Sequence, residues 1–379
     1  MSKVLIKRTA DYTEETVYNS IKYVMEKLEV QRAVAGKRVL LKPNMLSKQP
    51  PSKAITTHPQ ILAAVIKVLL EWGVPPKDML IADCGGGTAS VALAQSSYNG
   101  CGFTKVSEDT GVPLYTKVET VRVKTDGAIV KEFEIIAPAA QYDVIINLAK
   151  FKTHAMTGMS GAVKNLFGTI PGLKKAEFHM RFPQKESFAK MLVDLCQTIK
   201  PSFTIVDGVV GMEGDGPSGG VPIALGLIIA GENPYYIDHV MCGIMGLDPM
   251  SAPVMQEAIE RGLCPKILPQ GTVEGDTELY KKWEGFVLPK SYSVNFAQNL
   301  PRAISWATPA VERLIAPRPR VDKAKCIGCE KCGEICPQQV ITMEKGRAHI
   351  DQKGCIKCFC CHEMCPVKAI EIKRFILFK

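Results

Sequence analysis

Eight cysteines near the C-terminus form two runs with the same spacing. The first run is Cys326, Cys329, Cys332 and Cys336, and the second is Cys355, Cys358, Cys361 and Cys365. Each cysteine of the second run lies 29 residues after its counterpart, and both runs end in Cys-Pro. This C-x2-C-x2-C-x3-C-P spacing is the ligand pattern of 4Fe-4S clusters. The repeat therefore predicts two 4Fe-4S clusters.

The fourth ligand of each cluster is expected to come from the other run. A tight loop can place only three thiolates around one face of a cubane, so the last one must arrive from a distant segment. We assign one cluster to Cys326, Cys329, Cys332 and Cys365, and the other to Cys355, Cys358, Cys361 and Cys336. The register of the repeat leaves Cys360 as a non-ligand.

The alternative for these thiolates is a pair of zinc sites, because four thiolates also suit tetrahedral zinc. Zinc sites rarely use a third cysteine at this spacing followed by Cys-Pro, and two copies favour iron and sulfide. Residues 321–372 resemble a two-cluster bacterial ferredoxin. The resemblance implies a small α+β module that transfers electrons.

The rest of the sequence predicts a globular protein without an export signal. The chain has 379 residues, of which 46% are hydrophobic and 22% charged, and charge returns within a few residues of the N-terminus. The longest apolar stretch, residues 221–230, is far shorter than the roughly 20 residues that cross a bilayer. We expect a cytoplasmic protein with no membrane span, in which the five scattered cysteines are buried apolar residues: Cys84, Cys101, Cys196, Cys242 and Cys264.

The residues before the cysteine runs alternate between short apolar segments and segments with a helical period. The apolar segments predict strands at 39–41, 79–82, 144–146, 204–206 and 225–229. The others predict helices at 14–28, 59–72, 187–199 and 251–262. This alternation predicts an α/β domain with a largely parallel sheet. Several strands end in polar residues, and ligands bind at the carboxyl ends of such strands.

A basic segment follows the third of these strands. Between residues 149 and 190, eight Lys or Arg stand against two acids, so this segment holds most of the formal net charge of +9. Such runs are usually solvated faces. Here lysine, histidine and asparagine alternate with glycine and apolar residues, which favours a site for a carboxylate, a phosphate or an acidic partner. Nucleic acid is not expected, because no nucleic-acid-binding signature accompanies the charge.

Residues 209–220 are a second candidate site. Their five glycines permit backbone conformations that could place Glu213 and Asp215 against a ligand, although a surface turn is the commoner structure for such a loop. The sequence contains neither the dinucleotide fingerprint G-x-G-x-x-G after Asp83 nor a phosphate-binding P-loop. No nucleotide cofactor is therefore predicted.

The large domain resembles the family of domain of unknown function 362 over about residues 40–247. The segments that carry the resemblance are Lys42-Pro43-Asn44, Thr57-His58-Pro59, Lys152-Thr153-His154, Lys164-Asn165-Leu166-Phe167-Gly168, His179 and Glu213-Gly214-Asp215-Gly216-Pro217. The resemblance implies an iron-sulfur centre protein, frequent fusion to a ferredoxin module and a common site at these positions. It implies no particular reaction.

Six residues are candidates for catalysis in the large domain: Lys152, His154, Lys164, Asn165, His179 and Glu213. We predict that the first five converge on one pocket. The segment 150–154 directly follows the strand at 144–148, and glycines at 158 and 161 allow the chain to fold back. Lysine holds an anion, asparagine donates and accepts hydrogen bonds, and histidine titrates near neutrality.

The sequence divides into an α/β domain (1–280), a packed connector (281–320) and a 2×(4Fe-4S) ferredoxin domain (321–379). In the connector, Phe296, Ile304, Trp306 and Leu314 are expected to pack. One hypothesis is an electron-transfer protein whose basic surface binds an anionic ligand or a redox partner protein. The alternative is an iron-sulfur oxidoreductase that reduces an anionic small molecule in the α/β domain. A buried pocket close to a cluster would favour the enzyme, and a flat basic face would favour the docking protein.

Overall fold

The computed structural model describes residues 2–86, 90–172, 174–290 and 317–373. Most of the predicted connector, including its four expected packing residues, lies outside these ranges, as do Gly87 and the last six residues. Among the residues that are described, no helix is both long and apolar enough to cross a membrane.

The strands and helices are numbered along the chain. The strands are β1 Val4–Arg8, β2 Val39–Pro43, β3 Met79–Ile81, β4 Thr120–Lys124, β5 Glu132–Ile136, β6 Val144–His154, β7 Gly158–Met159, β8 Phe203–Glu213, β9 Val221–Gly231, β10 Val273–Gly275, β11 Arg318–Val321, β12 Ile341–Glu344, β13 Arg347–Ile350 and β14 Ile370–Lys373. The helices are α1 Glu14–Lys27, α2 Val30–Val34, α3 Pro59–Glu71, α4 Val91–Gly100, α5 Phe103–Thr110, α6 Pro138–Gln141, α7 Gly161–Asn165, α8 Lys174–Arg181, α9 Lys185–Ile199, α10 Pro234–Met245, α11 Pro253–Glu260, α12 Lys331–Glu334 and α13 Cys360–Met364.

The large domain contains a mostly parallel, mixed sheet in the order β10-β1-β9-β8-β6-β2-β3, with β7 paired to β6. The neighbours β8, β6, β2 and β3 are parallel, whereas β9 runs antiparallel to both β8 and β1. The predicted α/β class is confirmed. The carboxyl ends of the four parallel strands share one edge of the sheet, and the polar residues that follow them meet there.

Helices cover both faces of this sheet because successive side chains of a strand point to opposite sides. In β2, Val39 and Leu41 pack with the core that contains α1 and α3, whereas Leu40 packs with the core that contains α9, α10 and α11. A central strand is thus buried on both faces. That burial explains why β2 and β6 are continuous apolar runs at the start.

The C-terminal module consists of two antiparallel strand pairs, β11 with β14 and β12 with β13, and the short helices α12 and α13. The cysteine repeat has a counterpart in the backbone. Left-handed φ angles occur at residues 328, 330 and 339 and again 29 residues later at 357, 359 and 368. Glu330 precedes α12 as Phe359 precedes α13, so the two cysteine runs adopt the same local conformation.

Candidate functional site: a cavity between the two modules

Each predicted set of four cysteines lines a cavity of its own. One cavity, with about 340 Å³ of empty space, is lined by Cys326, Cys329, Cys332 and Cys365, and the other, with about 320 Å³, by Cys336, Cys355, Cys358 and Cys361. Backbone N–H groups face two of the sulfurs, from Ala348 to Cys326 at 3.5 Å and from Ala369 to Cys365 at 3.1 Å. Such contacts hold and tune cluster thiolates, so these residues fit the group they are predicted to bind. In the described ranges no group of three or more His, Cys, Asp or Glu is arranged to hold a metal ion directly.

The glycine-rich turn between β8 and β9 contacts α13 of the C-terminal module. Ser218 Oγ donates a hydrogen bond to the carbonyl of Glu363 at 2.8 Å, and His362 Nε2 lies 3.0 Å from the carbonyl oxygen of Asp215. Lys368 Nζ donates to the carbonyl of Gly220 at 3.2 Å. The turn therefore holds the cluster-binding module against the large domain, instead of contributing Glu213 and Asp215 to a ligand site.

Gly219 is required in this turn because a Cβ atom there would lie 2.6 Å from Nε2 of His362. We expect Gly219→Ala to loosen the module and to raise hydrogen exchange in α13 by about tenfold, the effect of an overpacking cost of roughly 1–3 kcal/mol. Hydrogen exchange monitored by mass spectrometry measures this. Gly262→Ala is the control. An alanine there is strained by the φ of +70°, but its Cβ atom would meet no neighbouring atom. Equal exchange in both variants would contradict the assignment.

The two modules enclose a cavity with about 720 Å³ of empty space, part of it open to solvent. The large domain contributes Lys152, Lys164 and Lys175, together with Asn44, Asp83, Cys84, Asn165 and His179. The C-terminal module contributes Ile335, Cys360, Glu363 and Met364, each of which lies within two residues of a predicted cluster ligand in the chain. The lining therefore joins a basic wall to the cluster-binding segment.

Lys152 is fixed by a chain of amides. Its Nζ donates to Asn44 Oδ1 at 2.8 Å and to the carbonyl of Ile55 at 2.7 Å. Asn44 Nδ2 donates to Asn165 Oδ1 at 2.8 Å, and Asn165 Nδ2 donates to Asn147 Oδ1 at 2.7 Å. Burial, and then the charge of Lys164, lowers the pKa of Lys152 to about 7. Lys152 can therefore gain or lose a proton near neutral pH, while Asn165 holds Asn44 in place.

Lys164 reaches the cavity from α7, and Asp238 of α10 positions this helix. The carboxylate of Asp238 accepts hydrogen bonds from the backbone N–H groups of Ala162 at 2.5 Å and Val163 at 3.0 Å. It thereby pairs donors at the helix start that have no partner within the helix. Asp238 is buried, which raises its pKa to about 7. The amino group of Lys164 lies 5.9 Å from the centre of the Phe167 ring.

His154 faces Glu363 from beneath the cavity. Its Nδ1 accepts the backbone N–H of Met156 at 3.1 Å, and its Nε2 lies 3.0 Å from Oε1 of Glu363. Burial, followed by the charge of Lys164, lowers the pKa of His154 to about 4, so the ring is neutral at pH 7. Because Nδ1 accepts, the hydrogen of the neutral ring is on Nε2, the nitrogen that lies nearest the carboxylate. Glu363 carries its charge, since His154 and Lys164 hold its pKa below the usual range against the opposing effect of burial.

His179 is stacked on Phe188, with ring centres 4.3 Å apart, and lines the cavity. Burial lowers its pKa to about 3. The unfolded state therefore binds a proton between about pH 6.5 and 3 that the folded state does not, and stability falls as pH falls through this range.

Replacing His179 by phenylalanine should weaken this pH dependence. We expect the slope of the unfolding free energy against pH, between pH 6 and 4, to decrease by about 1.4 kcal/mol per pH unit in His179→Phe. Chemical denaturation of the anaerobic protein measures the slope, and His349→Phe at an exposed position is the control. Identical slopes for wild type and His179→Phe would show that His179 titrates normally.

Two buried ion pairs lie at the carboxyl edge of the sheet. Lys42 bonds Asp83, and Lys150 Nζ bonds Asp207 Oδ2 at 2.7 Å, with all four side chains at most 1% exposed. Asp207 also accepts the hydroxyl of Tyr12 at 2.7 Å and the backbone N–H of His58 at 2.9 Å. Asp83 differs, because its Oδ1 has no hydrogen-bond partner in the described part of the chain.

The structure places five of the six candidate residues at or beside the cavity. Lys152, Lys164, Asn165 and His179 line it, and His154 contacts Glu363, which lines it. Glu213 lies elsewhere, because its carboxylate accepts the backbone N–H of Val287 at 2.8 Å. Sequence reasoning missed Glu363, Cys360 and Asp238 as site residues, since their roles depend on how the modules and helices pack.

The comparisons with known proteins agree with these two modules. The family described as Domain of unknown function (DUF362) matches residues 39–243, and a 4Fe-4S dicluster domain matches residues 325–369. The chain belongs to the DUF362 family. This DUF362 member is thus an iron-sulfur protein with a C-terminal 4Fe-4S module, as the sequence predicted.

The chain is similar to a curated relative and to a solved structure. Thylakoid-associated protein sll1697 of Synechocystis sp. is 31% identical over 268 residues, which cover 70% of this DUF362 chain and 81% of the relative. The lactate racemase apoprotein from Thermoanaerobacterium thermosaccharolyticum has a TM-score of 0.41 and 14% identity. That match covers 65% of this chain and 57% of the racemase.

Proposed function

We propose that the chain is an iron-sulfur reductase that carries two 4Fe-4S clusters and reduces an anionic small molecule. The observation that supports it is the cavity between the modules, which is lined by Lys152 and Lys164 on one side and by Cys360 and Glu363 on the other. Such a cavity suits a small molecule better than a docking partner. Each cluster, when bound, supplies one electron at a time.

The residues of the cavity divide into anion-binding and proton-donating groups. Lys164 is half-buried and, although burial lowers its pKa, it supplies the positive charge of the site when protonated. The carboxylate of Glu363 repels a bound anion and so restricts it to the lysine side. Lys152, with a pKa of about 7, is placed to donate a proton. Asp83 Oδ1 and His179 Nδ1 have no hydrogen-bond partner among the described residues and are available to orient the substrate.

The overall reaction takes two electrons from a low-potential one-electron donor protein and two protons from solvent. The donor is expected to dock beside the first cysteine set, where Cys329 is exposed and Ile327 is 59% exposed. The second set includes Cys361, next to Cys360 in the cavity wall, so electrons would leave from there. None of the fourteen cysteines, which all lie in the described ranges, forms a disulfide, which suits a reducing compartment such as the cytoplasm.

The test is reoxidation of the anaerobically reduced chain by a panel of small organic carboxylates and phosphate esters that carry a reducible carbonyl or C=C group. Visible absorbance of the clusters monitors the reoxidation. We expect at least one anion to reoxidise the protein, and its rate at low concentration to fall about tenfold or more in Lys164→Gln, because a charge-assisted contact is lost. The control is Lys190→Gln, an exposed lysine of the same basic segment. Equal loss in both variants, or no reoxidation by any anion, would reject the reductase and favour an electron-transfer protein.

A further inference from the structure

A second cavity adjoins the one between the modules. It has about 540 Å³ of empty space and lies between α4, residues 115–120 and Pro171. Three residues line both cavities: Asp83, Cys84 and Gly86. The two spaces are therefore neighbours that meet at the residues around Cys84.

The two cavities differ in chemistry. The second is lined by six residues with apolar or aromatic side chains: Leu93, Ala94, Tyr115, Val118, Ile136 and Pro171. Leu93 and Val118 are each 52% exposed, which is a high exposure for large apolar side chains.

Four of the polar residues that line the second cavity are already engaged within the chain. Ser90 Oγ accepts the backbone N–H of Leu93 at 3.2 Å, Thr120 Oγ1 donates to Glu134 at 3.0 Å, and Tyr115 donates to the carbonyl of Glu119 at 2.7 Å. Lys117 Nζ lies 3.7 Å from Glu119 Oε1, and the side chain of Lys117 is 70% exposed. Satisfied polar groups and half-exposed apolar side chains make this cavity suited to an apolar part of a ligand.

We propose that the substrate is an elongated amphiphilic anion. Its carboxylate or phosphate lies against Lys164, and its apolar part passes Cys84 into the second cavity beside Leu93 and Ala94. Asp83 stands at the junction, where its unpartnered Oδ1 accepts a hydrogen bond from a hydroxyl or N–H group of the ligand. This inference rests on the anion site of the proposed function. It adds that the substrate is long and has an apolar part.

The test compares butanoate with decanoate, which carry the same anion on a short and a long chain. Binding to the full-length anaerobic holoprotein is measured by isothermal titration calorimetry, with butanoate measured by displacement of decanoate. Each buried methylene contributes about 0.8 kcal/mol, so a few buried methylenes give decanoate an affinity at least about tenfold higher. Equal affinities would overturn the proposal.

The matched variants are Ala94→Phe, which fills the second cavity, and Ala92→Phe, two residues away on the exposed side of α4. We expect Ala94→Phe to reduce decanoate affinity about tenfold and to leave butanoate unchanged, and Ala92→Phe to change neither. Leu93→Glu at the exposed rim should also reduce decanoate affinity and leave butanoate unchanged. This variant decides the test if Ala94→Phe folds poorly. Equal decanoate affinity in all three variants would place the chain elsewhere and overturn the proposal.

Lys164→Gln separates this inference from the function on which it rests. If it weakens both carboxylates while chain length and Ala94→Phe have no effect, the anion site stands and the elongated substrate is rejected. If it weakens neither, the anion site itself is rejected.

Discussion

Cys361→Ala is expected to lose one of two clusters, whereas Cys360→Ala is expected to keep both. Two cubanes require about eight iron and eight sulfide per chain, so Cys361→Ala should retain about four of each. The reason is position: Cys361 lines the cavity shared by Cys336, Cys355 and Cys358, and Cys360 lines the cavity between the modules. Adjacent thiols on one short helix thus have different surroundings.

Iron and acid-labile sulfide assays on anaerobically purified protein measure this difference. The two variants are matched in residue type, in substitution and in helix, so a general loss of folding would affect both. The register of the second run would be wrong if Cys360→Ala lost the cluster and Cys361→Ala kept it. Stoichiometric zinc without sulfide in the wild type would exclude both clusters.

Asp207→Ala is expected to destabilise the large domain by about 3–5 kcal/mol, because it leaves the buried ammonium of Lys150 without its counter-charge. The same change removes the acceptor for the hydroxyl of Tyr12 and for the backbone N–H of His58. Burial already lowers the pKa of Lys150, so the variant should respond to pH as well. Deprotonation relieves the buried charge, and the loss of stability should therefore be smaller at high pH.

Chemical denaturation monitored by circular dichroism measures this loss. The control is Asp109→Ala, which removes the partner of an exposed pair with Lys105, 77% and 57% exposed, and should cost less than about 0.5 kcal/mol. Lys150→Met combined with Asp207→Leu should recover only part of the stability, since apolar residues can replace a buried pair but leave the donors of Tyr12 and His58 without an acceptor. A small effect of Asp207→Ala would mean that water reaches Lys150.

The fold could be predicted from the sequence where burial sets a clear period. The helix expected at 14–28 is observed at Glu14–Lys27, and the one expected at 59–72 at Pro59–Glu71. Strand β6 was predicted to end at residue 148 and continues to His154. Its later residues are polar but remain buried, because Lys152 pairs with Met212 of β8 and Thr153 with Met159 of β7. Cross-strand pairing of this kind leaves no local pattern in the sequence.

The site could be predicted only on the side of the large domain. The strand ends and the basic segment pointed to Lys152, Lys164 and His179 because ligands bind at the carboxyl edge of parallel strands. The opposite wall depends on the docking of two modules, which is a long-range event. Glu363 had no local signal of its own, since a glutamate between two cysteines reads as an ordinary surface residue.

The two halves of the C-terminal module share one backbone conformation, so differences in exposure between equivalent positions report contact with the large domain. Glu330 and Glu334 on the first half are exposed. Their counterparts 29 residues later are Phe359, which is 6% exposed, and Glu363, whose side chain is 11% exposed. These two positions are thus packed against the large domain in the second half of the repeat and exposed to solvent in the first half. In the proposed reductase, a donor protein would find an accessible face only on the first half, where Cys329 is exposed, so electrons would enter the module at that end.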